Sequence, residues 1–198
     1  MSKVTRTSFV LLLLSTGASC VAGDEELDDS AEQAVEGVCS EANRLACEKR
    51  VSIINVRSQC RFALTPNPRT TPNTGTLSVL FTGGLDCTVN ATLRVKGLRV
   101  GRLGWQINGY SGDRATTLAY SGAFNGQQFV SKNENVGKNA NIARSGQPSI
   151  GLNFCRGPRN SWVDYPITFR IALPGANAAA GATIDSLDLR AAAMTECP

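Results

Sequence analysis

Residues 163–173 have the sequence Val-Asp-Tyr-Pro-Ile-Thr-Phe-Arg-Ile-Ala-Leu. Apolar side chains occupy every odd-numbered position, and most of the side chains between them are polar. This period of two is typical of a β-strand that buries one of its faces. Pro166 has no amide hydrogen, which favours a sheet edge or the start of a strand. The segment therefore predicts a half-buried strand of an antiparallel sheet.

Similar short runs fill the chain on both sides of this segment, separated by Gly, Asn and Pro. Their approximate bounds are 51–56, 76–81, 89–100, 127–131, 149–154 and 183–189. Gly97 interrupts the alternation of one run, which predicts a bulge or a bend at that position. The pattern predicts a mainly β fold, arranged as an antiparallel β-sandwich or a jelly-roll-like domain.

One helix is predicted before the strands, at about residues 29–50. Its apolar side chains recur at helical spacing and form a single stripe. The members of the stripe are Ala31, Val35, Val38, Ala42, Leu45 and Ala46. Lys49 and Arg50 fall in the last turn, where positive charge suits the helix dipole. We expect this helix to pack at the N-terminal side of the β domain.

The first 19 residues have the parts of an export signal. Lys3 and Arg6 precede an apolar run over residues 9–14, and small residues follow it. The apolar run is too short to span a bilayer as a helix. We therefore interpret residues 1–19 as a signal peptide.

The end of this leader indicates how the chain is processed. Thr16-Gly17-Ala18-Ser19-Cys20 resembles the lipobox of bacterial lipoprotein precursors, although Gly17 stands where leucine is usual. The resemblance implies cleavage before Cys20 and lipidation of that cysteine. The alternative is ordinary signal cleavage after Ala22 or Gly23, which would give a freely secreted protein.

The segment after Cys20 is strongly acidic. We interpret residues 20–36 as a solvated tether and residues 37–198 as a single β-rich domain. The acidic side chains of the tether are Asp24, Glu25, Glu26, Asp28, Asp29, Glu32 and Glu36. Val21 differs from the aspartate that retains bacterial lipoproteins at the inner membrane. The resemblance therefore implies an outer-membrane destination, facing the periplasm or the cell surface.

The cysteines predict a disulfide-stapled domain. Either cleavage removes Cys20 from the set of seven, by lipidation or by proteolysis, and leaves six for disulfides. These six are Cys39, Cys47, Cys60, Cys87, Cys155 and Cys197. An even number of cysteines suits an oxidising compartment. Cys39 and Cys47 would lie about 12 Å apart along a continuous helix, too far to pair with each other.

Catalytic chemistry has little support in this sequence. The chain has no histidine, which removes the usual base of serine and cysteine triads. The acids after residue 51 read as turn residues and solvated strand faces. They are Asp86, Asp113, Glu134, Asp164, Asp185, Asp188 and Glu196. We expect no enzyme, no catalytic residue, no cofactor and no metal site; a carboxylate-based polysaccharide hydrolase is the alternative.

Charge is segregated along the chain. Residues 21–50 hold nine acids and three bases, whereas residues 51–198 hold seven acids and fifteen bases. Two basic clusters predict an anion-binding surface, formed by Arg94, Lys96, Arg99, Arg102, Arg156 and Arg159. A sugar-stacking platform is a further hypothesis, formed by Trp105, Tyr110 and Tyr120, although core packing explains most of these aromatic side chains as well. A solvated, non-functional surface explains the same charges.

The sequence as a whole predicts an exported cell-envelope lipoprotein with a binding or structural role. Adhesion, or a place in a surface assembly such as motility or secretion machinery, would suit this role. The expected partners are envelope proteins or an anionic surface polysaccharide, with the membrane reached through the lipid anchor. Nucleic acid is not an expected partner in this compartment. A secreted polysaccharide-acting hydrolase or a carbohydrate-binding protein is the alternative.

Overall fold

The computed structural model describes residues 49–66, 73–150 and 161–196. Within these ranges the chain forms ten β-strands, which make two five-stranded antiparallel sheets. The strands are β1 Val51–Ser58, β2 Phe62–Thr65, β3 Thr74–Phe81, β4 Asp86–Lys96, β5 Leu98–Tyr110, β6 Thr116–Phe124, β7 Gln127–Val136, β8 Asn141–Gly146, β9 Trp162–Ala172 and β10 Thr183–Glu196. A short 3₁₀ turn, Ala178–Ala180, precedes β10. The predicted mainly β fold is confirmed.

Each sheet contains strands that are not all consecutive in the chain. Sheet A has the order β1-β4-β9-β6-β7, and sheet B has the order β2-β3-β10-β5-β8. Their inner faces pack together: the Trp105 ring on β5 lies 5.1 Å from Tyr120 on β6 and 5.7 Å from Phe169 on β9, centre to centre. The architecture is therefore an antiparallel β-sandwich with one shared core.

The segment 163–173 forms β9 and buries alternate side chains, as predicted. The prediction for Pro166 is wrong, because β9 lies in the middle of sheet A. Its pairing with β6 ends at Ile167, so Pro166 lies just beyond the paired stretch. The Pro166 carbonyl accepts a hydrogen bond from the Asn125 amide at 2.8 Å. Pro166 therefore lacks an amide hydrogen at a position where β6 no longer pairs with β9.

Gly97 is the bend that the alternation predicts, and it also joins the two sheets. β4 ends at Lys96 in sheet A, and β5 begins at Leu98 in sheet B. The φ angle of Gly97 is 57°, a left-handed conformation that favours glycine. The buried Arg50 guanidinium donates to the carbonyls of Lys96, at 3.1 Å, and Gly97, at 2.9 Å. Arg50 thereby holds the crossing between the sheets.

One disulfide lies within the described residues, between Cys60 and Cys87, with a Cα–Cα distance of 5.3 Å. It joins the β1–β2 connection to β4. A Cβ built on Gly84 would lie 2.3 Å from the Cys60 sulfur, so this turn requires glycine. The other predicted disulfide cysteines lie outside the described residues: Cys39, Cys47, Cys155 and Cys197.

Several other predictions fall outside the described residues. The signal peptide, Cys20 and the acidic tether do so entirely. The predicted helix does so except for Lys49 and Arg50, which are not helical and lead directly into β1. In the predicted run 149–154, Ser149 forms an isolated bridge with Arg102. Among the described residues, no helix has the length and apolar character needed to cross a membrane.

Candidate functional site

Four charged side chains on the outer face of sheet A form two ion pairs. The Arg94 guanidinium on β4 donates to both carboxylate oxygens of Asp164 on β9, at 2.9 and 3.0 Å. Arg170 on β9 donates in the same way to Asp86, at 2.9 and 2.6 Å. These hydrogen bonds lower the pKa of both carboxyl groups. These four ionic groups are therefore occupied by cross-strand partners.

The predicted anion-binding residues are divided between the two sheets. Arg94 and Lys96 lie on β4 in sheet A, where the Lys96 ammonium is 5.9 Å from the centre of the Trp162 ring. Arg99 and Arg102 lie on β5 in sheet B. The remaining two members lie outside the described residues: Arg156 and Arg159. The residues before and after Gly97 are close in sequence but lie in different sheets.

A row of five polar side chains crosses the outer face of sheet B. One member comes from each strand, in direct register: Thr65, Ser78, Asp188, Gln106 and Ser145. Five strands at the usual spacing make this row about 19 Å long. The Ser78 hydroxyl donates to the Asp188 carboxylate at 2.5 Å. The row offers hydroxyl, amide and carboxylate groups along one line.

The next two rows toward the C-terminal end of β10 carry one arginine each. Arg190 lies opposite Thr76 on β3 and Gly104 on β5, and Ala192 lies opposite Arg102. Both arginines are exposed. Within the described part of the chain, neither guanidinium makes an ion pair or a hydrogen bond. Gly104 has no side chain, so the surface between Arg102 and Arg190 is open.

The two arginines and the polar row, except Thr65 at its end, line one open groove of about 790 Å³, which we name the sheet-B groove. Its lining includes Pro66 at the β2 side and Gln147 after β8. Between these ends, the strands present hydroxyl and amide groups and the Asp188 carboxylate beside two cations. Such a surface suits a ligand with many hydroxyl groups.

Trp105 lies along the base of the groove, but its ring belongs to the core. It is 7% exposed, and its Nε1 has no hydrogen-bond partner among the described residues. A Cβ on Gly146 would lie 2.8 Å from the Trp105 ring, so the indole fits closely under this glycine. Tyr120 is 6% exposed, and the Tyr110 hydroxyl donates to the Asn139 side chain. The predicted stacking platform of Trp105, Tyr110 and Tyr120 is therefore wrong, because two of its rings are buried.

A polar bridge joins the two sheets beside Trp105. The Tyr120 hydroxyl on β6 donates to the Glu134 carboxylate on β7 at 2.7 Å, and Arg144 on β8 donates to the same carboxylate at 2.6 Å. The hydrogen bonds from Arg144 and Tyr120 lower the pKa of Glu134. Burial, reinforced by Glu134, raises the pKa of Tyr120 to about 12. This bridge holds β8, and with it one end of the groove, against sheet A.

The described carboxylates show what the groove offers chemically. Asp86, Asp164 and Glu134 are each bound by an arginine. Asp188 is the one carboxylate among the described lining residues of the groove. No cluster of three or more metal-binding side chains is present among the described residues. The arrangement can accept and donate hydrogen bonds and can bind an anionic group through its arginines.

Sequence reasoning missed most of the groove. Among the predicted site residues, Arg102 and Trp105 line it, whereas Ser78, Gln106 and Arg190 were not singled out. A weak signal for Arg190 exists, because it alternates with the apolar Leu189 and Ala191. Alternation shows that a side chain faces outward, but it does not show which other strands lie beside it.

Comparisons with known proteins give distant similarities. No protein-family model and no curated protein matches the chain. Among solved structures, the CBM36-1 domain of a multidomain xylanase from the hindgut metagenome of Trinervitermes trinervoides has 12% identity and a TM-score of 0.31, over 70% of this chain and 95% of that chain. A family 35 carbohydrate-binding module from Clostridium thermocellum has 10% identity and a TM-score of 0.28, over 70% and 90%. An exo-β-1,3-galactanase from Phanerochaete chrysosporium has 13% identity and a TM-score of 0.30, over 71% of this chain but 29% of the enzyme.

Proposed function

We propose that this protein is an exported cell-envelope lipoprotein whose β-sandwich binds a polysaccharide in the sheet-B groove. The observation that carries the binding part is the register row of Thr65, Ser78, Asp188, Gln106 and Ser145. These side chains form a continuous line of hydrogen-bonding groups on a rigid surface. An extended sugar chain presents hydroxyl groups repeatedly along its length, which matches such a line.

The export part of the proposal is supported by chemistry outside the groove. The leader resembles that of lipoprotein precursors, with Cys20 as the residue to be lipidated. The Cys60–Cys87 disulfide suits an oxidising compartment. An anchor at Cys20 followed by an acidic tether would present the groove away from the membrane. Adhesion to an envelope polysaccharide would follow from this arrangement.

Binding is tested by affinity electrophoresis of the full chain through gels that contain neutral or acidic polysaccharides. The test variant is Gly104→Leu, which fills the groove floor. A Cβ at Gly104 meets its nearest neighbour, the Gln147 Cγ, at an ordinary 3.5 Å, so the backbone can accept the change. Thr92→Leu places the same side chain on the outer face of sheet A and is the matched control. We expect retardation of the wild type and of Thr92→Leu, and its loss in Gly104→Leu.

Two outcomes contradict the proposal. Failure of the wild type to bind any polysaccharide in the panel removes the binding function. Equal retardation of Gly104→Leu and the wild type moves binding away from the groove. Release of reducing sugars from a bound polymer would instead favour the alternative, a polysaccharide hydrolase.

The anchor is tested by the intact mass of the protein purified from its own membranes. Lipidation predicts a chain that begins at Cys20 and carries acyl groups. A chain that begins after Ala22 or Gly23 without lipid would show ordinary secretion. Cys20→Ser is expected to release a lipidated protein from the membrane fraction, and unchanged membrane retention would contradict the anchor.

A further inference from the structure

The two arginines of the groove differ from three other arginines in a way that concerns the ligand. Arg94, Arg144 and Arg170 each bind a carboxylate through hydrogen bonds of 2.6–3.0 Å. Arg102 and Arg190 have no carboxylate partner among the described residues, although both line the sheet-B groove. These two cations thus lie where a ligand in the groove would contact them.

The register places these two cations close together. Arg190 lies opposite Gly104, and Arg102 lies opposite Ala192, so the two arginines are diagonal neighbours across β10 and β5. Diagonal side chains on adjacent antiparallel strands start about 7–8 Å apart. Like charges at this separation repel each other. An anion held between the two guanidinium groups would relieve the repulsion and fill the space above Gly104.

We propose, building on the function proposed above, that the groove selects polysaccharides that carry carboxylate groups and that Arg102 and Arg190 bind those groups. A guanidinium matches a carboxylate through two parallel hydrogen bonds. The polar row of Ser78, Asp188 and Gln106 lies two residues from Arg190 along β10, about 7 Å away. It takes the hydroxyl groups of the same sugar chain.

Asp188 determines the orientation in which an acidic sugar chain binds. Its carboxylate lies in the polar row and repels a second acid at that position. A sugar chain therefore binds with its carboxylates above the arginines and its hydroxyl groups above Asp188. A polymer with acidic groups along one edge fits better than one that carries them on every side.

The test compares polygalacturonate with the same polymer after chemical reduction of its carboxyl groups. The chain contains two tryptophans, so Trp162→Phe leaves Trp105 at the base of the groove as the single fluorescent reporter. In this background we expect polygalacturonate to change the Trp105 emission. We expect the reduced polymer to bind at least about tenfold more weakly, the scale of a lost charge-assisted hydrogen bond. Binding should weaken as NaCl rises from about 0.05 to 0.5 M.

The variants are Arg102→Gln and Arg190→Gln, with Arg170→Gln as the control that removes one charge from the outer face of sheet A. Each groove variant is expected to weaken polygalacturonate binding at least about tenfold while binding of the reduced polymer stays unchanged. The control is expected to bind both polymers as the parent protein does. Melting curves of all three variants verify that they fold.

The outcomes separate this inference from the proposed function. Equal binding of the two polymers, lost in Gly104→Leu but kept in both groove arginine variants, overturns carboxylate selection and leaves polysaccharide binding in place. Absence of binding to either polymer and to the wider panel overturns both. An equal loss in Arg170→Gln would show that net charge, and not the arginine pair, governs binding, and would also overturn the inference.

Discussion

The outer faces of the two sheets both carry arginines, but these arginines have different surroundings. On sheet A, Arg94 and Arg170 lie within hydrogen-bond distance of Asp164 and Asp86. On sheet B, Arg102 and Arg190 line a groove and have no such partner within the described chain. Arg94 and Arg170 are thus neutralised within their own sheet, whereas Arg102 and Arg190 remain available to a ligand. The register of the strands, and not the number of arginines, makes this difference.

The largest effect is expected where the base of the groove meets the core. In Gly146→Ala the new Cβ would lie 2.8 Å from the Trp105 ring, which is already packed between Tyr120 and Phe169. Because the ring or β8 must shift, we expect the free energy of unfolding to fall by about 1–3 kcal/mol. Urea denaturation followed by circular dichroism measures it.

Gly104→Ala is the matched control for this change. Its Cβ meets the nearest atom at 3.5 Å, so we expect the free energy of unfolding to change by no more than about 0.5 kcal/mol. Equal losses in Gly104→Ala and Gly146→Ala would show that the indole does not limit this face. They would remove the link that we draw between the groove and the core.

An intermediate effect is expected at the bridge between the sheets. The pKa of Glu134 is lowered in the folded state, so its stabilising contribution is complete above its ordinary pKa of 4.5 and is lost as the pH falls through the lowered value. Glu134→Gln should cost about 1 kcal/mol at neutral pH, since the Arg144 pair is partly exposed. The variant should also lose less stability than the wild type on acidification. Identical pH profiles of unfolding would exclude this role for Glu134.

The smallest effect sharpens the comparison between the faces. Arg94→Gln breaks an exposed ion pair with Asp164 and should cost about 0.2–1 kcal/mol. Arg190→Gln removes an arginine with no described partner and should leave the melting temperature unchanged or slightly higher, because it relieves repulsion from Arg102. A destabilised Arg190→Gln, measured by thermal melting at low salt, would reveal a partner and would weaken the case for a ligand.

Sequence patterns predicted the parts of the fold that depend on local order. The alternation over 163–173 predicted β9 and its buried face, and the break at Gly97 predicted a bend. The same pattern could not show that Gly97 changes sheets, because alternation is identical in either sheet. It also could not place Pro166, whose tolerance depends on where β6 stops pairing.

The groove depends on long-range pairing and was therefore hidden. Arg94 looked like part of a basic cluster because its neighbours in sequence are basic, yet its partner Asp164 is 70 residues away. Arg190 lines the groove because β10 pairs between β3 and β5, which its own sequence does not show. Trp105 was a candidate for a sugar-stacking platform, but its inward phase on β5 puts it in the core.

The central position of β10 also fixes when the groove can exist. β10 is the last strand of the described chain, and it carries Asp188 and Arg190 between two strands made much earlier. Sheet B cannot close until β10 has been made, and pairings this distant in sequence form slowly. A nascent chain that has not reached β10 therefore has no finished groove. Any ligand of the groove must wait until β10 has been made and has paired with β3 and β5.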